Sequence, residues 1–132
     1  MTAVPSDAAV NFLLAESVRQ ELGGKLTIIG LYPGNQITIP KGTKQLVTSI
    51  AFAFIVLDGD GTFSTTFSLR APSGKVIFKD DFLQRSVKNP GEPLIVLIAV
   101  QPFVTDETGK FDISLHLDSA TYPRSFTVDF AP

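Results

Sequence analysis

The single histidine of this chain stands at alternate positions between a serine and an aspartate: Ser114, His116 and Asp118. These are the residue types of an activated nucleophile, in which the base takes the hydroxyl proton and the carboxylate orients the base. In a strand, however, positions i, i+2 and i+4 project in parallel, about 6.6 Å apart. A nucleophile and its base must meet at about 3 Å beside an oxyanion site. The spacing predicts a solvated polar face, not a triad.

Asp58-Gly59-Asp60-Gly61 has the look of a calcium-loop fragment. An EF-hand needs oxygens at loop positions 1, 3, 5 and 12. With Asp58 and Asp60 at positions 3 and 5, positions 1 and 12 fall on Val56 and Phe67, which supply none. As metal ligands, Asp58 and Asp60 would need carboxylates from other loops, gathered at one end as in C2-type sites. The ordinary alternative is a pair of Asp-Gly turns. No resident metal or cofactor is expected.

Other chemistries find little support. Cysteine is absent, which excludes thiolate ligands, a thiol nucleophile and disulfides. No glycine-rich loop opens a helix to cradle phosphate. Trp is absent and only Tyr32 and Tyr122 accompany eleven Phe, which disfavours an exposed sugar platform. The formal charge is −2 with acids and bases dispersed, so the basic footprint of a nucleic-acid binder is missing. The longest apolar run, residues 50–57, is far short of the ~20 residues of a membrane span. The N-terminus carries no basic segment of the secretory kind. A cytoplasmic protein is expected.

The elements that position these residues are strands. Gly24-Lys25, Gly74-Lys75 and Gly109-Lys110 each launch an apolar run, the pattern of a hairpin turn feeding a half-buried strand. Residues 1–8 read as a flexible tail and 9–132 as one domain. Residues 9–22 fit a helix (Val10, Leu13, Leu14, Ser17, Val18) or a strand (Val10, Phe12, Leu14); the short turn to the next strand favours the strand. Leu46 to Leu57 is apolar on both faces and is expected at the centre of the sheet packing. Leu94 to Val100 is a second two-sided apolar strand, with Pro102 marking an end or a bulge. Residues 83–93 read as the longest connection. About seven to nine antiparallel strands with short turns predict an all-β, two-sheet sandwich.

The run from Leu14 to Tyr32, with Ala71-Pro72-Ser73-Gly74-Lys75 and the stretch Gly109 to Asp118, resembles a family of small bacterial and phage-borne proteins of unknown function. The resemblance covers roughly residues 10–130 and rests on the order of three hairpins. It implies an immunoglobulin-like or C2-like sandwich and brings no catalytic residues.

If every strand crosses the long axis once, turns 19–25, 58–61, 80–93 and 118–124 share an end. That end would collect Glu21, Asp58, Asp60, Asp80, Asp81, Glu92 and Asp118. Lys41, Lys44, Arg70, Lys75 and Lys110 would lie opposite, and Lys25 would be separated from Lys75 and Lys110. With no nucleophile placed beside a base, the expected role is non-enzymatic: a binding or assembly module working through protein contacts. It would either self-associate or dock a partner through residues 83–93. The alternatives are a calcium-dependent or ligand-binding C2-like domain at the acidic end, or an enzyme with an unrecognised site. Whether a small molecule binds is left open by the residues.

Overall fold

Nine strands, all in two sheets, make up almost all the regular structure of the computed structural model, which describes residues 3–131, without the side chains of residues 80–84. β1 (Val10–Gln20), β2 (Leu26–Leu31), β4 (Leu46–Val56) and β7 (Leu94–Thr105) form a four-stranded sheet in the order β2-β1-β4-β7. β3 (Gln36–Ile39), β5 (Gly61–Arg70), β6 (Val76–Lys88), β8 (Gly109–Leu117) and β9 (Ala120–Phe130) form the other, in the order β3-β9-β8-β5-β6. Every pairing is antiparallel except β3 with β9.

Alternation along each strand builds the core. Phe63, Phe67 and Leu69 of β5 and Phe111, Ile113, Leu115 and Leu117 of β8 are buried on one side. They meet Ile50, Phe52, Phe54 and Val56 of β4 and Phe103 of β7. Ring contacts join the sheets: Phe52 lies 5.3 Å from Phe67 and 5.9 Å from Phe126, and Phe103 lies 5.7 Å from Phe111. Each such pair adds about 0.5–1.5 kcal/mol to the burial of its rings. Thr65, the one polar side chain on the inner row of β5, meets the hydroxyl of Ser86 at 2.7 Å.

The ambiguous stretch 9–22 holds a strand, Val10–Gln20, and β4 lies between β1 and β7, as its two apolar faces predict. Pro102 marks a bulge: Thr48 pairs Phe103 while Ile50 pairs Val100, so β7 carries an extra residue there. Proline has no N–H to give a ladder and is tolerated at such a place.

Two expectations are corrected. Residues 83–93 are not one connection, because β6 continues to Lys88 against β5, with Thr62 opposite Val87. Only residues 89–93 remain as a turn; the run Gln84 to Lys88 carries few turn residues and follows the register of β5. The sharing of ends fails for the turn at residues 19–25. The assumption of one crossing per turn breaks between β2 and β3, where Pro33–Asn35 reverses the chain. β2 runs with β4, which returns as β5 after a four-residue turn; β9 runs with β5, and β3 with β9. β3 therefore runs against β2, and the parity of every later turn shifts. Lys25, Lys75 and Lys110 fall at one end, with Glu21. Asp58, Asp60, Glu92 and Asp118 fall at the other.

Candidate functional site

The triad-like residues separate. Ser114 and His116 lie on the outer row of β8, directly across from Ser68 and Thr66 of β5. His116 Nδ1 is 3.0 Å from Thr121 Oγ1 on β9. Asp118 lies beyond the strand in a left-handed conformation, φ 53°, and its Oδ1 accepts the Ser64 amide at 2.8 Å. It closes the β8–β9 turn onto β5 and does not orient the imidazole. A shallow hollow of about 260 Å³ beside His116 includes Thr66, Ser68 and Arg70.

Asp58 and Asp60 hold the N-terminal segment. Asp58 accepts both the amide of Ser6 at 2.9 Å and its hydroxyl at 2.6 Å. Asp60 Oδ1 accepts the Ala3 amide at 3.2 Å, and the two backbones bridge. Gly59 lies between them at φ 84°, and a Cβ there would stand 2.7 Å from the Ala3 carbonyl oxygen. The glycine is needed for close approach and the aspartates for the bonds, which accounts for the Asp-Gly-Asp motif without an ion. Residues 3–8, within the stretch expected as a flexible tail, are further held from β9. Tyr122 donates its hydroxyl to the Pro5 carbonyl at 2.6 Å. Arg124 spans the Asp7 carboxylate at 2.8 Å and the Val10 carbonyl at 2.6 Å.

The Ser6 hydroxyl bond, then the Ser6 amide, holds the Asp58 carboxyl below the usual carboxylate range. Burial, with the charges of Asp58 and Asp7, pushes the Tyr122 phenol up. Among the described residues, no three of His, Asp and Glu come together as a metal would require. The side chains of Asp80 and Asp81 lie outside the described residues.

The surface that stands out carries no titratable group at its centre. On the four-stranded sheet, the side turned away from the core follows from register. Leu13 of β1, Ala53 of β4 and Leu97 of β7 lie in one row, and Leu31, Ala15, Ala51 and Ala99 in the next. Ile55 and Ile95 sit beside Asn11 in the row on the other side. Beyond the bulge Val47 pairs Val104, with Val47 62% exposed. An antiparallel sheet that faces water on one side ordinarily alternates apolar with polar. Here both rows are apolar.

The apolar face runs onto an arm. β1 pairs β4 only over residues 10–15; beyond that it pairs β2 alone. On this two-stranded arm Ile29 and Leu31 are each 49% exposed, and Leu22 at the turn is fully exposed. Gly30, at φ 66°, makes room for Glu16, whose Cδ would lie 2.6 Å from a Cβ. At the tip Glu21 accepts bonds from Thr27 and Arg19, which hold its carboxyl below the usual range, Thr27 first. On the open side of the sandwich, edge strands β6 and β7 border a groove of about 460 Å³ lined by Val76, Phe78, Val100 and Pro102 among others.

Sequence reasoning passed over the face, although its signal was present. The two-sided apolarity of residues 94–100 suits a strand covered on both sides, yet β7 is an edge strand. The run Leu26-Thr27-Ile28-Ile29-Gly30-Leu31 likewise has no polar alternation and also lies on an edge. No helix among the described residues is long and apolar enough to cross a membrane. No protein-family model matches the chain, and no curated protein matches it. Among solved structures it is similar to a β-glucosidase from Erythrobacter marinus, at 16% identity and a TM-score of 0.44. That likeness covers 83% of this chain but only 18% of the glucosidase, and it carries no inference about activity.

Proposed function

We propose that this protein is a non-enzymatic binding or assembly module, working through protein–protein contacts made by the outer face of its four-stranded sheet. The observation that carries the proposal is the apolar outer side of β1, β4 and β7, where Leu13, Ile55, Ile95 and Leu97 are half-buried around the buried Ala15, Ala51 and Ala53, continued by the exposed Ile29 and Leu31 on the arm. Contiguous apolar surface of several hundred Å² is uncommon on a soluble monomer and marks contact sites. An immunoglobulin-like or C2-like sandwich, and kinship with small bacterial and phage-borne proteins, belong to the same proposal. Two sheets joined by short turns favour the first, and the order of the hairpins favours the second. The carboxylates of the calcium alternative, Asp58 and Asp60, already hold Ser6 and Ala3.

Leu97→Lys tests whether the face serves contact or folding. In dilute solution the lysine reaches water along its own stem. The variant should melt within a few degrees of the parent and lose most retention on a phenyl matrix. A Leu97→Lys chain that is unfolded at every concentration, or that is retained as strongly as the parent, overturns the proposal.

A further inference from the structure

We infer that the occupant of this apolar face is a second copy of the same chain, packed face to face about a two-fold axis. The inference rests on the contact role proposed above and adds the identity of the partner. Three observations select a copy over an unrelated protein.

Charge comes first. Around a two-fold axis each residue meets its own counterpart, so a charged group near the axis meets its like. From Leu13 across Ala53 to Leu97, and from Leu31 to Ala99, the rows carry no charge. The charged pair on the arm, Arg19 and Glu21, is closed on itself at 2.7 Å at the tip. Shape comes second. A twisted sheet fits best against another sheet of the same twist, stacked about 10 Å away. Extent comes third. At ordinary strand rise and spacing, four strands of these lengths cover about 600 Å². Stable interfaces bury about 800 Å² on each partner. That area already includes Ile29 and Leu31 on β2, and it meets the lower end of the standard range, roughly 600–1,000 Å² on each partner. An isolated two-stranded ribbon is marginal in water, so the arm gains most from being covered.

Sedimentation velocity of the whole chain over a concentration series from nanomolar to hundreds of micromolar is the test. A discrete species of twice the chain mass is expected. Leu97→Lys should weaken it at least about a hundredfold and Ile29→Lys about tenfold, while Ser68→Lys on the opposite sheet leaves it unchanged. Because the chain has no cysteine, a lone Leu97→Cys adds a second readout. Leu97 lies on edge strand β7, about one and a half strand spacings from the centre of the face, so a thiol-specific linker of about 20 Å should join two copies through it. If Leu97→Lys fails to fold, Ile29→Lys and the linker decide. A parent chain that stays monomeric throughout overturns the inference. So does a dimer indifferent to both substitutions, or one the linker does not join. If the chain is monomeric yet still binds phenyl matrix through Leu97, the contact role stands and the partner is another protein.

Discussion

The two outer faces of the sandwich are built on the same core and differ in kind. The five-stranded sheet turns Thr66 and Ser68 of β5, Ser114 and His116 of β8, and Thr121 of β9 away from the core, and their cross-strand partners are polar apart from Pro123 opposite Ser114. The four-stranded sheet turns Leu13, Ala53, Ile55, Ile95 and Leu97 away from the core. Folding asks one apolar face of each sheet, and both supply it through the phenylalanine layer. The second apolar face therefore answers to something other than the core. Its cost is solubility, and the return is a surface ready to be covered.

The largest effect should separate inner from outer rows of one strand. Phe52→Ala empties a fully buried site that contacts Phe12, Phe67 and Phe126. It should cost about 3–5 kcal/mol, read from urea unfolding. Leu97→Ala, on the outer row of the neighbouring strand, should cost about 1 kcal/mol in dilute solution. Equal losses would erase the distinction, because the outer row would then be core. Gly30→Ala comes next. Forcing a side chain into φ 66° against Glu16 should cost about 1–2 kcal/mol and disturb the arm. Association should fall with it, while the β5–β8 ladder keeps its amide-exchange protection. Smaller still is the reverse exchange on the polar face. Ser68 and Ser114 are direct partners, and Ser68→Val with Ser114→Val should shift stability by about 0.5 kcal/mol or less. Thr66, His116 and Arg70 around them should keep that face from self-pairing in light scattering, and a new dimer would show that two valines suffice.

What was legible from sequence follows the same division. Period-two alternation in β5 and β8 made the sheets and the inner rows readable, because burial on one face leaves a period-two trace. Phe111 to Leu117 predicted its own packing. The apolar outer face left no such trace: a strand apolar on both sides reads as buried, whatever covers it. Residues 33–35 hid a reversal, since the turn occurs midway along the sheet and passes the chain from one sheet to the other. That single turn moved Lys25 to the end holding Lys75 and Lys110. The role of Asp58 and Asp60 was hidden because their partners, Ala3 and Ser6, lie more than fifty residues away in the chain.

A further prediction concerns pH and sets the faces against the N-terminal strap. Asp58, held below its ordinary range by Ser6, stabilises the strap above the usual carboxylate range and loses that contribution as pH falls through its lowered value. Tyr122, pushed up by burial and by Asp58 and Asp7, contributes below the usual phenol range and loses its contribution as pH rises through its raised value. Amide exchange at Ala3 and Ser6 should therefore quicken, beyond its intrinsic pH dependence, at both extremes. Tyr122→Phe should remove the alkaline limb and cost about 1 kcal/mol, since the Pro5 carbonyl loses its donor. Asp58→Asn should flatten the acid limb, because the amide oxygen still accepts from Ser6 but no longer titrates. The apolar face has no titratable group between Leu13 and Leu97, so association should stay level across the acid range in which the strap loosens. An association constant that fell in step with the exchange at Ser6 would place the strap, rather than the sheet face, at the contact.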